Sequence, residues 1–162
     1  MADDLLGIYL NDHLGGSTAG TELAEKLRDN NQGTELGNLM AALHNDIEQD
    51  RASLEELMAR LGIERQRVKQ AAGWVLEKLT RLRLNPTLAG NADLTRMLET
   101  EALSLGIEGK LCMWLALREA AAGDPRLAGT DYDRLIERAR SQRQALEPHR
   151  RAAALQAFSS GD

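Results

Sequence analysis

Cysteine, proline and aromatic residues are all scarce in this chain, and each scarcity excludes a class of structure. The lone cysteine among 162 residues, Cys112, cannot form an internal disulfide, and no neighbouring cysteine or histidine makes it part of a zinc motif. It reads as a small core residue of a helix. Aromatic residues make up only 3% of the chain, too few for a sheet protein, which draws on aromatic and β-branched side chains. The core is left to Leu, Ala and Met, which suits helix-on-helix packing. The three prolines stand outside the centres of the helices proposed below. A net charge of −5, with only the small clusters Arg81/Arg83 and Arg150/Arg151, gives nucleic-acid binding little electrostatic support. No apolar run approaches the roughly 18 residues of a membrane span, and Asp3 and Asp4 stand where a signal peptide would be basic. The expectation is a cytoplasmic protein with neither a membrane nor a nucleic-acid partner.

What the chain has is helical periodicity, enough for one domain over residues 1–162 built of five helices, at about 3–29, 34–61, 64–84, 92–122 and 130–158. Thr34 caps the second, Gly62 ends it, and Thr130 or Asp131 opens the fifth. Asn85-Pro86 to Gly90-Asn91 is a clear break. Pro148 should kink the fifth helix or shift its register, and the tail from Ser159 should fray. The link at 30–33 is too short for anything but an antiparallel return, so two long hairpins joined by a shorter crossover helix are expected.

The seams of these helices carry exceptions. In the first, Leu6, Tyr9, Leu23 and Leu27 set a 3-4 alternation that lands on His13, Gly16 and Gly20. A titratable ring thus stands where leucine is expected, followed by two positions without side chains. In the second, Leu36, Met40, Leu43, Ile47, Leu54, Leu57 and Leu61 form a regular seam interrupted by Asp50. Val68, Ala72, Val75, Leu79 and Leu82 line the third. The fourth reads Leu94, Leu98, Leu105, Cys112 and Leu115, with Glu101 and Glu108 among them. The fifth reads Tyr132, Leu135, Ala139, Gln142, Leu146, His149, Ala153 and Gln156. Counting heights from the two links stacks the exceptions into two polar layers. One holds His13, Asp50, Glu108 and Gln142; the other holds Gly20, Glu101 and His149, with His44 and Glu48 in range.

Two antiparallel helical hairpins with a long crossover, and carboxylates and histidines projecting inward, resemble the ferritin-like superfamily. The resemblance implies an all-α four-helix bundle with a crossover helix and, in members that carry metal, a di-iron or di-manganese centre. The family's Glu-x-x-His element is missing, because Leu10, Ala41 and Leu146 precede His13, His44 and His149 by three residues. Glu101 or Glu108 matches the lone glutamate of a family helix.

Three readings follow. The first is a non-catalytic bundle, acting through binding or assembly, that needs no cofactor and whose polar layers fix helix register and line a small internal pocket. The second is a divergent iron or manganese protein or oxidoreductase with His13, Asp50, Glu101, Glu108 and His149 as ligands, His44 and Glu48 being additional candidates. The third is an adaptor that presents Trp74 and Trp114 on an outer helix face, since large aromatics are favoured at interfaces. A homodimer is compatible with all three.

Overall fold

The computed structural model of the protein describes residues 2–66 and 90–159. They form four α-helices, α1 (Ala2–Asn30), α2 (Glu35–Arg60), α3 (Ala92–Ala120) and α4 (Tyr132–Phe158), with a short 3-10 turn at Pro125–Leu127. No strand occurs among the described residues. Of the expected helix at 64–84, residues 64–66 are not helical; the remainder, with its seam and Trp74, lies outside the described residues, as does the tail from 160.

Local chemistry sets the helix ends. Thr34 Oγ1 accepts a hydrogen bond from the Gly37 N–H at 3.1 Å, capping α2. Gly37 is itself required, because a Cβ there would lie 2.1 Å from the Asn31 carbonyl oxygen. At the far end Gly62 takes φ +68°, a left-handed conformation that favours glycine. The bonds Gly62 N–H to Ala59 O and Ile63 N–H to Met58 O then close the helix as a Schellman motif. Asn91 caps α3 and Asp131 caps α4. α4 continues through Pro148 as one helix.

α1 packs on α2, α3 packs on α4, and the two pairs meet through α1 with α3 and α2 with α4, enclosing one interior. In α2 the inward stripe is Leu36, Met40, Leu43, Ile47, Asp50, Leu54 and Leu57, all buried at the spacing expected. α4 buries Tyr132, Leu135, Ala139, Gln142, Leu146 and Ala153, while His149 is half-buried and Gln156 exposed.

Two helices sit about one residue away from their expected rotation. In the first half of α1 the buried positions are Leu10, Asn11 and Leu14, which turns Tyr9, His13 and Gly16 onto the flank. In α3 they are Thr100, Leu103, Ile107, Leu111, Trp114 and Leu117. Leu105 and Cys112 are therefore exposed, and Cys112 is no core residue. One residue is about 100° of helix rotation. The larger apolar area lies on the Trp114 side, where each large side chain removed from water contributes about 1.5–3 kcal/mol, and that decides the phase. Asn11 earns its burial by pairing with backbone: its Nδ2 donates to the Gly7 and Glu64 carbonyls at 2.9 and 3.1 Å, and its Oδ1 accepts from Gln66 N–H at 2.8 Å. That contact ties the segment after α2 against α1.

Candidate functional site: a charged cluster beside a cleft

Asp50 is held in the interior by the regular apolar stripe of α2, with only 2% of its surface exposed. A carboxylate there needs compensation, since desolvating an ion costs several kcal/mol. Lys110 of α3 supplies part of it, donating from Nζ to Asp50 Oδ2 at 2.5 Å and to Gln142 Oε1 at 2.5 Å. Gln142 of α4 donates from Nε2 back to Asp50 Oδ2 at 3.3 Å, closing a ring of three side chains from three helices. Arg138, one turn before Gln142, forms a close ion pair with Asp50 Oδ1 and donates from Nη1 to Gln49 Oε1 at 2.9 Å. The approach to Oδ1 is off the hydrogen-bonding angle, so Asp50 Oδ1 and Arg138 Nε and Nη2 make no hydrogen bond among the described residues. Burial pushes the Lys110 ammonium below the ordinary lysine value; Asp50 opposes the shift and the Arg138 charge adds to it.

On the α1 side of this cluster lies a cavity of about 120 Å³. Small residues open part of its wall: Gly16, Ala19 and Gly20 on α1 and Ala102 and Gly106 on α3 line it, together with Ile47, Asp50 and Leu54 of α2. A Cβ at Gly16 or Gly106 would meet nothing within 4 Å, and one at Gly20 would touch only Ile47, at 4.0 Å. The glycines thus leave space rather than bringing two backbones together. Gly16 and Gly106 are exposed, at the rim, while Lys110 and Trp114 belong to the wall.

His13 is part of that wall too. It stacks edge-on against Tyr9, with ring centroids 4.7 Å apart, and burial lowers its pKa below the usual 6.5, partly offset by the charge of Asp12.

No family model, curated protein or solved structure matches this chain. The site therefore has to be read from its own chemistry.

Of the residues singled out by pattern, Asp50 and Gln142 meet directly and His13 shares the cavity with Asp50. Glu108 lies on the outer flank of α3, paired with Arg143. Glu101 is half-buried and near enough to Arg150 to help raise that guanidinium's pKa. His149 and His44 are half-buried, Glu48 is exposed, and none of them lines the cavity. Among the described residues no three His, Cys, Asp or Glu side chains gather as a metal-binding group. The donor set does not fit a di-metal centre either: Asp50, the most central carboxylate, is engaged by Lys110 and Arg138. Trp114 is wholly buried, so it presents no outer face to a partner.

Lys110 and Arg138 are the members of this cluster that pattern missed. The signal was present, since Lys110 is the sole lysine of α3 and Arg138 precedes Gln142 by one turn. Asp50 needed cations, and both engage it.

Proposed function

We propose that this protein is a non-catalytic helical bundle of ferritin-like topology that works by binding a compact, largely apolar molecule in the cleft between α1 and α3. The topology is supported by the order of the contacts. Gly20 faces Ile47, Lys26 meets Glu99, Arg60 meets Thr130 and Asp50 meets Arg138. Between α1 and α2 (Gly7 near Ile63, Gly20 near Ile47), between α2 and α4 (Asp50 with Arg138, Arg60 with Thr130) and between α3 and α4 (Glu108 with Arg143, Arg118 with Asp133) the chain numbers run in opposite senses, which supports a reading in which α2 and α3 run alike.

One observation carries the functional reading: two helices facing each other across glycine and alanine, where larger side chains would fit, next to a charged cluster. Glycine within a helix costs about 0.5–1 kcal/mol relative to alanine, and an unfilled void costs packing as well. A cavity of about 120 Å³ is near the roughly 150 Å³ that takes up benzene, and far below the ~300 Å³ or more of a pocket for a drug-sized ligand. The occupant is a single small ring or a short chain. The charged cluster links α2, α3 and α4 through Asp50 Oδ2 and Gln142 Oε1 and serves to hold them in register.

Titrating toluene into the isotope-labelled protein tests this by amide chemical shifts. Shifts confined to residues lining the cleft, and abolished by Gly106→Leu, are the expected result. Gly106→Leu fills the space and raises helix propensity, so it should fold at least as well as the parent. No shift in the parent protein, or equal shifts in both, would sink the reading.

A further inference from the structure

Of the three histidines only His13 lines the cleft, and it stands there without a buried ionic partner. It reaches the cavity from α1, half-buried, with its ring edge-on to Tyr9. The helices packed against α1 are α2 and α3. α2 brings Asp50 and Arg51 to the same wall and α3 brings Lys110, with Cys112 close enough to act on Tyr9. Asp50 is engaged by Lys110 and Arg138, and Arg51 by Glu55. Among the described residues none of these groups pairs with the imidazole. The carboxylate whose charge does reach it is Asp12 of its own helix, which is exposed and screened by water. Burial outweighs that attraction and already lowers the His13 pKa.

An apolar occupant enlarges this imbalance. A molecule that fills the cavity takes the place of water along the part of the ring that borders it, and losing water penalises an imidazolium far more than a neutral imidazole. Resting on the binding reading above, we propose that filling the cleft is coupled to the proton of His13: the site takes its apolar ligand with the imidazole neutral and gives it up when the ring is protonated. Such coupling is reciprocal. The ligand lowers the proton affinity of His13 by the same factor by which the proton lowers the affinity for ligand, and binding below the pKa expels up to one proton into solvent. Where only the neutral form binds, affinity is constant above the His13 pKa and falls about tenfold for each pH unit below it. The cleft is then a site that loads at neutral pH and empties in acid.

Reciprocity supplies two readings of one coupling in the unmodified protein. Ring-proton NMR titration with and without saturating toluene should show the His13 pKa lowered further by at least about half a unit, which is about a threefold difference in affinity between the two protonation states. His44 and His149, which do not line the cavity, should titrate as before. Toluene affinity, read from amide shifts, should weaken at least about threefold between roughly pH 7.5 and one unit below the His13 pKa. In His13→Gln the affinity should hold one value across that range, and the ring titration of the parent protein decides the matter if the variant does not fold. A pH dependence that survives in His13→Gln would assign it to another group and overturn the proposal. Toluene bound equally well across the range, or a His13 pKa that stays put or moves only together with those of His44 and His149, would overturn the coupling and leave the apolar cleft standing. No toluene binding at any pH would overturn both.

Discussion

Among the described residues two carboxylates are buried, and they are compensated in different ways. Glu99 of α3 is paired with Lys26 of α1, whose side chain is 38% exposed, so the lysine reaches in from solvent along its own stem. Asp50 is surrounded by Lys110, Arg138 and Gln142, with the two cations only 13% and 18% exposed. The first arrangement closes an edge of the α1–α3 contact. The second puts three ions largely out of water beside a cavity. Burial of a charge is thus no guide to its role; what matters is whether its partners can return to water when it is removed.

The largest expected effect breaks the Asp50 side of this contrast. Asp50→Asn should cost about 3–5 kcal/mol in urea unfolding, because two cations stay buried against a neutral amide. Adding Lys110→Met to that variant should recover a substantial part of the loss, a non-additivity that a double-mutant cycle reads directly. Glu99→Gln should cost much less, about 1 kcal/mol, since Lys26 can swing out and rehydrate. Equal losses at the two sites would erase the distinction.

Gly106→Ala sharpens the contrast from the cavity side. A methyl group there meets nothing, so the variant should gain about 0.5–1 kcal/mol from helix propensity alone. A loss of stability instead would show the cleft to be tighter than its geometry.

The smallest effect is a matter of pH. Burial lowers the His13 pKa, so the folded state binds its proton less readily than the unfolded chain. Stability is then fully present above the unfolded value near 6.5 and declines as pH falls below it. His13→Gln should flatten the stability profile below about pH 6.5, and an unchanged slope would assign that acid sensitivity to other groups.

Much of this was legible in the chain before it folded. The regular spacing from Leu36 to Leu57 fixed which face of α2 is buried and marked Asp50 as the exception on it. The caps at Thr34 and Asp131 and the stop at Gly62 were legible because they are local: each depends on side-chain and backbone groups a few residues apart. Gln142 was marked in the same way as Asp50. What was not legible was rotation. Leu98, Leu105 and Leu115 make as regular a seam as Leu103, Ile107, Leu111 and Trp114 when read by spacing, and only burial against α4 separates them.

That one-residue turn of α3 decided the site. It carried Glu108 outward to Arg143 and brought Lys110 inward to Asp50 and Gln142. A turn of the same size in α1 placed His13 and Gly16 on the flank facing α3, so that the small residues frame a cleft. By itself, then, the sequence determined that the chain is helical, where its described helices begin and end, and that Asp50 and Gln142 are inward polar positions. All of these follow from local periodicity and capping. The tertiary structure alone decided which cations answer Asp50 and whether missing side chains become contact or space, because both depend on the relative rotation of helices far apart in sequence.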